Sequence, residues 1–177
     1  MDNPYKENQT EVFLSIGGNL GDRISNLTEA LRILYEEFPT GFVVSPVYET
    51  PAWGFESDQN FLNCCVRFLT EITADELLKT CQYVESALGR SRNNQFGYSS
   101  RTMDVDILYF GDRIIAETRL IVPHPKLYDR NFVLYPLCDI APLFLDPSKN
   151  LTIKQLKSAC KDKSVISLYT NKLLTFM

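Results

Sequence analysis

The sequence predicts an α+β sandwich of the ferredoxin-like kind, a mainly antiparallel sheet with helices on both sides. Three observations carry that expectation. Apolar runs of strand length and stretches of helical periodicity follow one another as strand, helix, strand, strand, helix, strand, which is the order of split β-α-β units. Both helical stretches open on a capping residue and stop at a glycine-containing turn. At 177 residues, with 45% hydrophobic and 23% charged positions, the chain is one soluble domain's worth of material with enough apolar residues for a core.

Residues 1–10 are polar and read as an arm outside the domain, which spans 11–160, with 161–177 as an extension that the sequence does not place. The first strand, 12–16, ends in Gly17-Gly18-Asn19-Leu20-Gly21. No Gly-Lys-Ser/Thr follows and the G-x-G-x-x-G spacing is absent, so this is a tight turn bringing backbone close to a ligand, not a phosphate loop. Asp22 caps a helix whose buried stripe is Ile24, Leu27, Leu31, Leu34 and Phe38, stopped by Pro39-Thr40-Gly41. Residues 42–49 form the second strand. The loop Thr50-Pro51-Ala52-Trp53-Gly54-Phe55 carries two aromatics that either pack back on the domain or form a lid over a flat ring.

Residues 60–69 are the third strand. Thr73 and Glu76 make a capping box, and Leu77, Leu78, Cys81, Val84 and Leu88 supply the buried stripe up to Gly89. Gln82 and Glu85 fall off that stripe, an i, i+3 pair facing a ligand or water. After the fourth strand, residues 114–122 read as two short extended segments carrying Arg119, and His124 stands between two prolines. An apolar helix follows Arg130-Asn131-Phe132, and a last amphipathic helix starts at the Thr152/Gln155 capping pair.

The fourth strand carries the chemistry. In Met103-Asp104-Val105-Asp106-Ile107-Leu108-Tyr109-Phe110, alternation puts Asp104 and Asp106 side by side on one face, continued by Leu108 and Phe110, with Val105, Ile107 and Tyr109 opposite. An Asp-x-Asp alone is commonly the solvated end of an amphipathic strand. Here Arg90, Arg92 and Arg101 precede it, with no acid between Gly89 and Met103. Paired carboxylates suit Mg²⁺, and clustered guanidiniums suit phosphate oxygens, so the combination fits a metal–nucleoside triphosphate.

A net charge of −4 and a pI near 5.1 argue against a nucleic-acid binder. Five cysteines without C-x-x-C spacing read as reduced thiols of a cytoplasmic protein, with Cys64 and Cys65 facing opposite ways. A single histidine excludes a multi-histidine metal site. No signal peptide and no membrane-spanning run are expected.

Taken together, Gly17-Gly18-Asn19-Leu20-Gly21-Asp22, Tyr48-Glu49-Thr50-Pro51, Phe61-Leu62-Asn63, Arg101-Thr102-Met103-Asp104-Val105-Asp106-Ile107-Leu108, Val122-Pro123-His124-Pro125 and Arg130-Asn131-Phe132-Val133-Leu134 resemble the 6-hydroxymethyl-7,8-dihydropterin pyrophosphokinases, enzymes of folate biosynthesis. The resemblance covers roughly residues 11–158. It implies a ferredoxin-like domain that passes pyrophosphate from ATP to the 6-hydroxymethyl group of the pterin and releases AMP. By position, Asp104 and Asp106 hold two Mg²⁺ ions and, with Arg90 and Arg101, form the catalytic set. Gln82, Glu85, Arg90, Arg92, Arg101, Arg119, His124 and Arg130 match ATP-binding positions. Thr50, Pro51, Trp53, Phe61, Asn63 and Phe132 match the pterin site. The implied partners are the two small substrates, with no nucleic acid or membrane, and the assembly a monomer or weak dimer.

The chain departs from the family pattern in three places, the first being Phe61, which brings no phenol hydroxyl to the Phe/Tyr-x-Asn motif. Phe96-Gly97-Tyr98-Ser99-Ser100-Arg101 replaces the usual Trp-Gly-Pro-Arg, leaving Phe96 or Tyr98 to cover the pterin, and Asn93-Asn94-Gln95 replaces a basic residue. The loops at 50–58 and 90–100 are expected to close over the substrates. Two other functions compete: a non-catalytic ferredoxin-like module binding a small ligand, and a two-metal phosphotransferase that yields ADP.

Overall fold

The structure, a computed structural model, describes residues 9–89 and 100–171. Its central sheet is built from β1 (Thr10–Gly18), β2 (Val43–Val44), β3 (Val47–Thr50), β4 (Phe61–Thr70), β5 (Asp104–Phe110) and β8 (Ser167–Thr170). The order is β5-β1-β4-β3-β8, with β2 also on β4, and every pairing is antiparallel. A separate two-stranded ribbon joins β6 (Ile115–Ala116) to β7 (Ile121–Val122). The long central strands β1 and β4 are paired over their whole length and flanked on both sides, which is why their runs are apolar on both faces.

Helices α1 (Arg23–Glu37) and α2 (Ala74–Ala87) cover one face, and α3 (Asn131–Ile140) with α4 (Ile153–Ala159) cover the other. Local signals set the ends as expected. Asp22 accepts the Ser25 amide at 3.1 Å, and complete capping boxes open α2 and α4 at Thr73 and Thr152. Cys64 lies in the α1/α2 core and Cys65 in the α3/α4 core, on opposite faces as alternation requires.

Two expectations are corrected. The second strand is broken into β2 and β3, because Pro46 has no amide to give the ladder; Ser45 fills in, its Oγ accepting the Cys65 amide at 2.9 Å. Alternation along β5 also fails after Leu108. The β1 register jumps between Phe13, opposite Tyr109, and Leu14, opposite Ile107, so Leu108 is the extra residue of a bulge. Tyr109 therefore joins Leu108 in the α3/α4 core, and Phe110 turns to the α1/α2 side. The extension left unplaced by sequence supplies β8, the strand beside β3.

Candidate active site

The face under α3 and α4 is covered over only part of its length. Phe13, Cys65, Leu108 and Tyr109 are buried beneath the helices. Two residues further along each strand, the same face presents Ser15, Gly17, Asn63, Asp104 and Asp106, which floor a cleft of about 600 Å³ measured to its mouth. Thr50, Pro51, Phe55 and Phe61 line it from β3, β4 and the loop between them, Arg101, Arg130 and Phe132 from the segments leading into β5 and α3, and Trp53 reaches across to pack on Arg130 and Phe132.

Register explains the layout. Gly17 pairs with Asn63 on one side and with Asp104 on the other. Asn63 and Asp104 thus stand in one row, two strand spacings or roughly 10 Å apart. Glycine is required between them: a Cβ on Gly17 would lie 2.3 Å from Asn63 Oδ1. At Gly18 a Cβ would lie 2.2 Å from the Thr102 carbonyl oxygen. The glycines expected to admit a ligand admit Asn63 and the 101–102 segment first, and only Gly17 also lines the cleft.

The acids are flanked by cations. Arg101 Nη1 lies 2.6 Å from Asp104 Oδ2, and Arg130 Nη1 lies 3.5 Å from Asp106 Oδ2. Burial pushes the Asp106 carboxyl up to about 7, with the neighbouring Asp104 charge adding to it and Arg130 opposing. His124 Nε2 sits 3.8 Å from the same carboxylate. Burial, with help from Arg130, pulls His124 down to about 4, so the ring is neutral at pH 7. Its Nδ1 accepts the Lys126 amide at 3.2 Å, leaving the proton on Nε2 as a donor toward the cleft.

The slot itself is aromatic and amphipathic. Asn63, 4% exposed, donates through Nδ2 to Thr50 Oγ1 at 2.8 Å. The Arg130 guanidinium lies 5.1 Å from the Trp53 ring centroid and 5.6 Å from that of Phe132. Trp53 and Phe55 both line the cleft and pack on its other aromatics, Trp53 6.5 Å from Phe132 and Phe55 6.1 Å from Phe61 between ring centroids.

Asn19 is a site residue that sequence reasoning missed. It is fully buried, its Nδ2 donating to Ser57 Oγ, Gln59 O and Ser100 Oγ, its Oδ1 accepting the Arg101 amide at 2.8 Å. One side chain thereby ties the glycine turn to both loops bordering the cleft. Its place inside the glycine turn was the one signal available. Glu85 is the other surprise. Expected off the buried stripe, it is 4% exposed and accepts the Val105 amide at 3.1 Å, because β5 is the sheet edge and that amide has no strand partner. Gln82 is half-buried outside the cleft lining, and Arg119 is exposed near the β6–β7 turn. Arg90, Arg92, Phe96 and Tyr98 lie outside the described residues.

The donor set fits magnesium. It is oxygen-only, burial and then the paired charge raise the Asp106 carboxyl, and among the described residues no third acid, histidine or cysteine completes a cluster. Two carboxylates leave most of a six-oxygen shell to phosphate and water, which is how Mg²⁺ is ordinarily held with a nucleotide.

Acids and arginines next to a slot for a flat ring define a phosphoryl-type transferase acting on a heterocyclic substrate. The comparisons with known proteins narrow the class. The family model described as 7,8-dihydro-6-hydroxymethylpterin-pyrophosphokinase matches residues 13–142. The 2-amino-4-hydroxy-6-hydroxymethyldihydropteridine pyrophosphokinase of Aquifex aeolicus is 40% identical over 146 residues, 82% of this chain and 89% of that protein. The Bacillus subtilis protein of the same name is 41% identical over 130 residues, 73% and 77% of the two chains. Among solved structures, wild-type Plasmodium falciparum HPPK-DHPS with pteroate aligns with a TM-score of 0.67 at 16% identity, over 87% of this chain. The chain spans 43% of that longer protein, and the likeness speaks for the fold alone.

The chain belongs to the 7,8-dihydro-6-hydroxymethylpterin-pyrophosphokinase family. Membership makes it an ATP-dependent pyrophosphokinase, whose activity is pyrophosphate transfer to hydroxymethyldihydropterin in folate biosynthesis.

Proposed function

We propose that the 6-hydroxymethyl oxygen of the pterin attacks the β-phosphorus of ATP while the bond from that phosphorus to the α-phosphate oxygen breaks. The β,γ-pyrophosphoryl group moves to the pterin and AMP leaves. The observation that carries this reading is the row Asn63–Gly17–Asp104, which sets a polar ring-binding position and a metal-type carboxylate on one floor. Asn63 and Thr50 orient the ring's polar edge, and Phe61, Trp53 and Phe132 grip its faces. Asp104 and Asp106 would hold magnesium, two ions by the family pattern, and the metal would draw phosphate oxygens together and make the alcohol more acidic.

Arg101 and Arg130 neutralise charge on the transferring group, and His124 donates from Nε2 to a phosphate oxygen. Among the described residues of the cleft only the acids are basic near pH 7, which suits a reaction driven by alignment and charge rather than by a strong base. Arg90, Arg92, Arg119, Gln82 and Glu85 keep their proposed ATP roles, Glu85 acting from behind β5. We take the pyrophosphokinase domain as 11–160, with the extension after it adding β8 to the sheet, and the assembly as a monomer or weak dimer. Five free cysteines suit the cytoplasm, and no helix among the described residues is long and apolar enough to cross a membrane.

Incubation with MgATP and hydroxymethyldihydropterin tests the reading. AMP release supports it, ADP release selects another phosphotransferase, and no nucleotide product selects a binding module. Asp104→Ala should lower Mg²⁺-supported turnover by at least about a hundredfold, and unchanged turnover would refute the metal assignment.

A further inference from the structure

Residues 160–170 lie past the end of the family match at residue 142, yet they touch both walls of the slot. Helix α3 carries Phe132 in its first turn. Its N-cap position is Arg130, a residue with no acceptor to offer, and no side-chain cap bond is made there. The cap comes instead from 31 positions downstream, where Asp162 Oδ2 accepts the Asn131 amide at 3.1 Å. Asn131 Nδ2 answers by donating to the Asp162 and Ser164 carbonyls, both at 3.1 Å. Asp162 is oriented in turn by the Ser164 amide at 2.9 Å and hydroxyl at 2.5 Å. Burial opposes its ionisation, but the Ser164 and Asn131 hydrogen bonds win and hold the carboxyl below its usual range. An anion therefore stands at the positive end of α3.

The same segment then becomes β8. Ser167 and Leu168 pair with Glu49 and Tyr48 of β3, directly before Thr50 on the opposite wall. Tyr48 closes the loop by donating to Asp139 of α3 at 2.7 Å. Four residues of chain between Asp162 and Ser167 thus link the Phe132 wall to the Thr50 wall.

We propose, resting on the function given above, that residues 160–170 are a strut that sets the spacing of the two slot walls, and that Asp162 is the positioning residue holding Phe132 against the pterin ring. Arg130, next to the capped amide, has contacts of its own with Asp106 and with the face of Trp53, so the effect should fall mainly on the pterin end.

The test compares full-length wild type, Asp162→Ala and Asp162→Asn for KM toward hydroxymethyldihydropterin, KM toward ATP and Tm. Asp162→Ala should raise the pterin KM roughly fivefold, the factor that a lost cap of about 1 kcal/mol gives, with the ATP KM changed less than about twofold. Asp162→Asn keeps an oxygen to cap the helix and should recover most of the loss. If Asp162→Ala does not fold, Ser164→Ala carries the same comparison, since it loosens the same carboxylate. Equal rises in both KM values, or a lower Tm with the pterin KM unchanged, would overturn the proposal. A wild-type protein that releases no AMP would instead sink the function on which it rests.

Discussion

Replacing Asp106 by Asn should stabilise the metal-free protein at alkaline pH while destroying its activity. The Asp106 carboxyl is raised from 3.8 to about 7, chiefly by burial and then by Asp104. A raised acid binds more protons folded than unfolded. Its contribution is therefore fully present below about pH 4 and lost as pH climbs through about 7. At about 1.4 kcal/mol per pH unit the full span is on the order of 4 kcal/mol, and solvent reaching the cleft floor cuts that to about 2 kcal/mol. The assay is urea denaturation of chelator-treated wild type and Asp106→Asn at pH 4 and pH 8. The two should differ least at pH 4, where the folded Asp106 carboxyl is neutral, and the variant should lead by about 2 kcal/mol at pH 8. Adding Mg²⁺ with ATP should stabilise the wild type more than the variant, since the ion prefers the charged form. A variant less stable than wild type at pH 8, or a gap independent of pH, would show that Asp106 is not held against its own charge.

Asn19→Ala removes the bonds joining three segments and should cost about 3 kcal/mol by denaturation, with a fall in kcat as Ser57 and Arg101 lose their common anchor. Gly18→Ala forces a Cβ into the Thr102 carbonyl and should cost about 2 kcal/mol, with Arg101 displaced and turnover lowered at least about tenfold. Trp53 is the sole tryptophan, so pterin binding should change the protein's intrinsic fluorescence; Trp53→Ala should weaken pterin affinity about fivefold, the worth of about 1 kcal/mol of stacking and cation–π contact.

Local rules made the helices legible, because Asp22, Thr73 and Thr152 each announce a start through partners three residues away. The Asp104/Asp106 pair was legible for the same reason, since alternation over three residues needs no long-range information. What failed needed it. The Leu108 bulge depends on how β5 sits against β1, and the burial of Glu85 depends on β5 being an edge. Asn19 finds its partners 38 to 82 positions away, and Asp162 caps a helix from 31 away. No periodicity reports contacts of that kind; only the assembled sheet does.

The ligand-free cleft is balanced in a way that the substrates can take over. Arg101 is committed to Asp104 at 2.6 Å, and Arg130 leans on Asp106 at 3.5 Å. A magnesium-bearing triphosphate offers each member of these pairs its opposite charge on one molecule, positive metal for the acids and phosphate oxygens for the guanidiniums. Binding is then an exchange of partners rather than the creation of new buried charge, and the desolvation cost, already met in the folded protein, is not met twice. Asp104 and Asp106 would hold the metal and have their mutual repulsion relieved by its charge, and Arg101 would then be free to turn from Asp104 to phosphate. On the proposed function the cleft would be most stable when loaded, and the instability that Asp106→Asn should expose would help draw the metal nucleotide in.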